Sequence, residues 1–285
     1  MSPKNIVDFL NKDGNVLLAL SGKSTTPSAI SSLLLELDLH LATDRSSVVV
    51  DHFNYDTLSA TDKHDVLLLQ RPGQLRPDTK AYFDGEGVLA LPRAAPHTLG
   101  DNSLVAPILR APATAYSYNP KEDLGAVEDV WATGSQLALV SAVQTRGSSR
   151  FTLLGSVESL QDKWFSATVK APGNGKETGT ANQEFAKQLT AWTFKETGVL
   201  KVGKVEHHLA KDDLTSEDLN PTIYRIKNET VCGYHLQHRG PPADVSCRFS
   251  TLRSPSIATT SSCLSRCPPT MRFSSNSLCF LPSTA

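Results

Sequence analysis

The stretch from Gln136 to Val202 constrains the chain most, because it holds two strands, a turn and a long amphipathic helix in one run. Leu137–Val143 and Phe151–Leu154 are apolar runs of strand length, and Arg146-Gly147-Ser148-Ser149 between them has hairpin-turn composition. After the polar, Gly-rich residues Pro172 to Thr180, Phe185, Leu189 and Trp192 recur at i, i+4 and i+7, one face of a helix. Asn182 is placed to cap its start and Gly198 to stop it. A helix with one apolar face has to lie on a sheet, so the stretch reads as the closing third of an α/β domain.

The segments FTLLGSVESLQDKWFSATV, NQEFAKQLTAWTFKETGVLKVG and VEHHL, with VVVDHFNYD upstream, carry a family resemblance. They are similar, in order from about Asn5 to about Thr230, to the forty-eight-kilodalton subunit family of the endoplasmic-reticulum oligosaccharyltransferase in its fungal form. The resemblance implies an accessory, non-catalytic subunit. The complex it serves transfers a preassembled oligosaccharide from dolichol diphosphate to Asn of nascent chains, and its metal-bearing catalytic subunit is a different protein. It implies other subunits of that complex as partners, a place on the luminal side of the endoplasmic-reticulum membrane, a membrane helix beyond this chain, and no cofactor or nucleic acid. The fold implied is a partial glutamine-amidotransferase-like parallel-sheet α/β domain over residues 1–204, with a strand extension. A linker and the start of a β-rich domain follow over residues 205–231, and residues 232–285 form a disordered or out-of-frame tail.

A chain of 285 residues has ample length for a buried core. Its net charge of −1 gives no general electrostatic reason to bind nucleic acid or an anionic membrane. No window approaches the roughly 18 uninterrupted apolar residues of a bilayer span. Met1 leads through Ser2-Pro3-Lys4-Asn5 into a helix pattern that carries charges, not into a signal peptide. With Ser2 as cap and Pro3 at the first helical position, Ile6, Phe9 and Leu10 are expected to face inward, and Gly14 to stop the helix. Val16–Leu20, a helix from Thr26-Pro27 with Ile30, Leu33, Leu34 and Leu37 inward, and Val48–Val50 suggest a right-handed parallel strand-helix-strand unit. Starting on a helix that feeds a central strand is unusual for a doubly wound sheet. The resemblance implies further strand-helix units before this point, so a missing N-terminus is expected. Val66–Leu69 is a fourth apolar run, and the Pro- and Gly-rich residues 71–130 read as an antiparallel or irregular extension of the sheet.

All five cysteines fall at or beyond Cys232. The tail they occupy has no Lys or Glu, many Ser and Pro, and no periodicity, which fits either a disordered segment or translation out of frame. Shifting the frame over CLSRCPPTMRFSSNSLCFLPSTA allows PFTLPANDALQLEFSMLSPFHR. In that product ALQLEFSM alternates as a half-buried strand does and resembles the family's β-rich domain. The codons of Val231-Cys232 are compatible with an intron donor site, so a retained intron followed by a shifted exon is the preferred account.

The candidate interaction loop is Asp51, His52, Asn54, Tyr55 and Asp56, directly after a strand, where α/β folds place ligand sites. These residue types suit acid/base chemistry or a metal, because a carboxylate can orient an imidazole. They equally suit a polar loop whose Asp and Asn satisfy backbone donors, and this is the preferred reading. An amidotransferase- or hydrolase-like enzyme using Asp51 and His52 is the alternative function. A third is a carbohydrate-binding module with a platform among Trp131, Trp164, Tyr116 and Tyr118.

Ser21-Gly22-Lys23-Ser24 follows a strand but lacks the first glycine of a phosphate loop. Ser156 sits at a strand-to-helix turn, without the flanking glycines of a nucleophile elbow. Residues 1–231 contain no cysteine nucleophile. Adjacent His207 and His208 would point to opposite faces of a strand, and Cys263 with Cys267 lacks the second pair zinc needs, so no metal and no catalytic residue is assigned. Asn228-Glu229-Thr230 is a glycosylation acceptor sequence.

Overall fold

The computed structural model describes residues 2–71, 80–121, 130–173, 176–209, 219–223, 230–239, 245–253, 272–274 and 277–281. The chain divides into two compact units, Met1–Lys195 and Glu196–Ala285. The first begins with α1 (Pro3–Asn11), β1 (Val16–Ala19), α2 (Ser28–Glu36), β2 (Leu39–Leu41), β3 (Val48–Val50) and β4 (Val66–Arg71). It continues through α3 (Lys80–Phe83), β5 (Gly87–Pro92), β6 (His97–Leu99), β7 (Val105–Arg110) and β8 (Tyr116–Tyr118). It closes with β9 (Ala138–Gln144), β10 (Arg150–Leu154), α4 (Asp162–Phe165), β11 (Thr168–Val169), β12 (Thr178–Gly179) and α5 (Asn182–Thr193).

The central sheet is mixed and runs β1-β10-β9-β6-β2, with β7 also paired to β9. The predicted hairpin is present: β9 and β10 pair antiparallel from Gln144 opposite Arg150 to Val140 opposite Leu154. Its turn is closed by Ser148 N–H on the Thr145 carbonyl and Thr145 N–H on the Ser149 carbonyl, both at 2.9 Å. The left-handed residue is Ser148, at φ 68°, although Gly147 precedes it.

Alternation along β10 sorts its side chains to two cores, the period-2 consequence of a strand buried on both faces. Phe151 and Leu153 join Leu10 of α1 and Leu33 and Leu34 of α2 on one side. Leu154 joins Phe185, Leu189 and Trp192 of α5 on the other. On that second face the Thr152 and Thr193 hydroxyls meet at 2.7 Å, and the Arg150 guanidinium lies 4.5 Å from the Trp192 ring. The helix predicted from Phe185, Leu189 and Trp192 therefore lies on the sheet as its apolar face requires.

The parallel unit expected of β1, α2 and β3 is not made. The parallel partner of β1 is β10, reached only after the whole intervening chain. After α2 the chain turns into β2, which runs antiparallel to β6, and β3 pairs antiparallel with β8. β4 and β5 form a further antiparallel pair. The Pro- and Gly-rich region thus extends the fold with antiparallel strands, as expected. A mixed α/β unit, rather than a parallel sheet, is the observed class.

Local expectations also shift. Leu10 is buried and Ile6 partly buried, but Phe9 is 53% exposed, and the left-handed residue after α1 is Asp13 rather than Gly14. The helix α5 ends at Thr193, five residues before Gly198, and Lys195 is left-handed at φ 62°. Asn182 makes no capping hydrogen bond and is fully engaged elsewhere. Its amide oxygen accepts from Ala90 N–H at 2.9 Å, and its amide nitrogen donates to the carbonyls of Ala90 at 2.8 Å and Ser159 at 3.3 Å. On the edge of β5 away from β4, Val88 bridges Thr180 in parallel and its carbonyl accepts from Ala181 N–H at 2.8 Å, and the Asn182 side chain continues that pairing at Ala90 as a strand would.

The second unit contains β13 (Val199–Leu209), β14 (Thr230–Arg239) and β15 (Val245–Arg253), an antiparallel set in that order. A separate pair, β16 (Arg272–Ser274) and β17 (Ser277–Leu281), follows. β15 to β17 and most of β14 lie where the sequence has no periodic signal. No helix among the described residues is long and apolar enough to cross a membrane. The acceptor Asn228 lies outside the described residues.

Candidate functional site

The loop after β3 is built on a buried carboxylate. The three valines of β3 are buried, and the chain leaves the strand at Asp51, which has no exposed surface. Its Oδ1 accepts from the backbone N–H of Phe53 at 2.8 Å and of Asn54 at 3.2 Å. Its Oδ2 accepts from the Asn54 amide at 3.0 Å and the Thr114 hydroxyl at 2.7 Å. Two turn amides and two side-chain donors occupy both oxygens, so desolvation is matched by hydrogen bonds.

Asp56, 1% exposed, repeats the device five residues on. It takes the backbone N–H of Leu58, Ser59 and Lys170 and the Ser59 hydroxyl. Asp51 and Asp56 are therefore turn-organising residues that pin the loop to Thr114 and to the backbone of Lys170. This is the polar-loop reading of the sequence.

His52 is exposed on this frame. Its Nδ1 meets Nδ1 of His64, and its Nε2 lies 2.9 Å from the Tyr116 hydroxyl. The Tyr55 ring stacks on His64 with centroids 3.9 Å apart. The Asp51 carboxylate thus does not orient the His52 imidazole: its bonds go to Phe53, Asn54 and Thr114, while His52 turns to His64 and Tyr116. The dyad required by the enzyme alternative is not formed.

Other sequence candidates have structural places. The Ser156 hydroxyl is buried and donates to the Pro92 carbonyl at 2.5 Å. Gly22 lets the chain pass the Arg93 carbonyl, which a Cβ would meet at 2.3 Å. Lys23 in the same turn pairs with Glu158 at 3.4 Å. Burial works to raise the Glu158 carboxyl, and the hydrogen bond and charge of Arg93, with Lys23, overcome it and hold the group below its ordinary value. Trp164 is 5% exposed and packs with Val66, Leu68 and Ala90, so it cannot serve a sugar platform, whereas Trp131 is 37% exposed. His207 and His208 are both partly buried on β13. Among the described residues, no group of three or more His, Cys, Asp or Glu could hold a metal ion.

Sequence reasoning missed His64, Thr114 and Lys170 as parts of the loop. His64 precedes β4 as His52 follows β3. That symmetry about two strands was the one signal available, and it says nothing of the 12-residue separation being closed in space.

The family model described as OST48, N-terminal domain, matches residues 1–196. The chain belongs to this family. Subunit wbp1 of the dolichyl-diphosphooligosaccharide–protein glycosyltransferase of Schizosaccharomyces pombe is 36% identical, over 81% of this chain and 49% of the relative. The 48 kDa subunit of the glycosyltransferase of the same name is 32% identical in Danio rerio, over 82% of this chain and 51% of the relative. In Arabidopsis thaliana it is 29% identical, over 80% of this chain and 50% of the relative. The chain spans about half the length of the curated relatives it matches. The solved mmIFT52 N-terminal domain overlays 67% of this chain and 70% of its own with a TM-score of 0.42 and 13% identity, too loose a likeness to carry a functional reading.

Proposed function

We propose that this OST48-family chain acts as an accessory, non-catalytic subunit of the oligosaccharyltransferase complex. It would support the transfer of oligosaccharide from dolichol diphosphate to Asn of nascent proteins on the luminal side of the endoplasmic-reticulum membrane. The observation that carries this reading is the family match over residues 1–196, with relatives named as subunits of that glycosyltransferase. The non-catalytic role is supported by the two buried carboxylates of the loop, whose oxygens are taken up by turn amides and hydroxyls, and by the buried Ser156. The loop Asp51 to Asp56 then serves contact with other subunits, held in shape by Asp51 and Asp56 and presenting Phe53, 69% exposed. The glutamine-amidotransferase-like ancestry belongs to the same proposal. Its support is the parallel β1–β10 pair with α5 packed behind it.

The test is immunoprecipitation of the native protein from detergent-solubilised microsomes, with mass spectrometry of what co-purifies, and glycosylation occupancy of a reporter after its depletion. Recovery of the other subunits, with a drop in occupancy that a His52→Ala variant still rescues, is the expected result. Full occupancy without the protein, and no co-purifying subunit, would sink the proposal. Failure of a folded His52→Ala variant to rescue, with the other subunits still co-purifying, would instead favour a catalytic role.

Residues 232–285 are, in this reading, translated out of frame. The family model that matches this chain ends at residue 196, well before this tail. Sequencing the messenger RNA across the codons for Thr230 to Ser254 is expected to show a segment spliced out and a frame containing ALQLEFSM restored. A mature message reading continuously from Cys232 to Ala285 would refute it.

A further inference from the structure

The loop after β3 and the turn before β4 bring two imidazoles edge to edge on a surface where each is fixed from behind. We propose that His52 and His64 form a two-imidazole site for a borderline divalent transition cation of the Cu2+, Ni2+ or Zn2+ class, bound through the two Nδ1 atoms with solvent filling the remaining positions. This goes beyond the subunit reading and does not depend on it.

Three observations carry it. The two Nδ1 atoms face each other within hydrogen-bond reach, with ring centroids 4.7 Å apart and ring planes at 85°. The opposite nitrogen of His52 lies 2.9 Å from the Tyr116 hydroxyl. With Nε2–H donated to Tyr116, the Nδ1 lone pair of His52 is left facing His64, and a hydrogen bond on the opposite nitrogen is the arrangement by which a ligating histidine is usually oriented. His64 is also held: its backbone is left-handed at φ 50°, its N–H bonds the Ala60 carbonyl at 3.0 Å, and its carbonyl accepts from Asp51 N–H at 3.3 Å. The Tyr55 ring covers one of its faces.

In the metal-free pair, His64 Nδ1–H donates to the His52 lone pair. On binding, that proton passes through solvent to the Nε2 side of His64, both Nδ1 lone pairs turn to the cation, and no proton is lost overall. Imidazole–metal bonds of about 2.0–2.1 Å need the nitrogens roughly 3 Å apart, an opening the exposed His52 ring can make by rotation. Two neutral imidazoles with open positions select borderline cations over hard ones such as Ca2+ or Mg2+.

The test titrates Cu2+ alone into the full chain at pH 7.5, after alkylating its cysteines so that thiolates do not compete, and follows the copper by electron paramagnetic resonance. One preferred equivalent with two nitrogen ligands is expected, retained in His40→Ala. His52→Ala and His64→Asn should each weaken it about tenfold or more and remove a nitrogen, and Tyr116→Phe should weaken it less. His64→Asn is chosen because asparagine tolerates the left-handed backbone, and circular dichroism verifies that each variant folds. Unchanged affinity and nitrogen count in folded His52→Ala would overturn the site.

Discussion

Asn182→Ala is expected to destabilise the first unit by about 3–4 kcal/mol, roughly 10 °C in Tm, although the side chain makes no helix cap. The substitution leaves the N–H and carbonyl of fully buried Ala90, together with the Ser159 carbonyl, without the partner that now satisfies them. Each buried backbone group stripped of its hydrogen bond costs on the order of 1–3 kcal/mol. Asn182→Asp separates this account from capping. Aspartate caps a helix as well as asparagine does, yet it has no N–H to give the two carbonyls and would set a carboxylate against them. Urea denaturation of the full chain should therefore find Asp at least as damaging as Ala. If Asp matches the parent chain, the bridge between α5 and β5 is not the reason for the residue.

Acidification between pH 6.5 and 5 is expected to remove about 2 kcal/mol of stability through His97 alone. His97 has no exposed surface; its Nε2 lies 2.6 Å from the Ser141 hydroxyl, and its Nδ1 is buried without a partner. Burial, and secondarily the charge of Arg110, push this imidazole down to about 3. The unfolded chain takes up the proton from about pH 6.5 while the folded chain refuses it until about pH 3. The contribution is therefore fully present above pH 6.5 and is lost as pH falls across that window. His97→Gln, which keeps an amide beside Ser141 and removes the titration, should flatten the loss between urea midpoints at pH 7 and pH 5. An equal loss in the variant would place the acid sensitivity elsewhere. The pairing of Glu158 with Arg93 acts lower, since a carboxyl held below its ordinary value loses its contribution only once the pH falls through the carboxylate range.

The contrast between these two residues shows what could be read in advance. The hairpin of β9 and β10, the α2 face and the α5 face were legible because periodicity is a local property: alternation and i, i+4, i+7 spacing fix which side chains share a face whatever the partner is. The turn chemistry of Asp51 was legible for the same reason, since its backbone partners lie two and three residues away. Strand partners were not legible. β1 reads equally well beside β3 or β10, because an apolar run carries no record of which edge it joins, and the tertiary structure chose β10.

The sequence by itself thus determined the family, the presence of both helices and strands in one unit, and the elements on either side of the candidate loop, while the mixed sheet came from the tertiary structure. Only the tertiary structure decided the roles that depend on distant neighbours. It turned Asn182 from a cap into a backbone partner of β5, sank His97 against Ser141 44 residues away, and closed the gap between His52, His64 and Tyr116. The physical reason is common to all three. A polar side chain does what its desolvated surroundings require, and those surroundings are assembled from chain segments whose meeting no local pattern encodes.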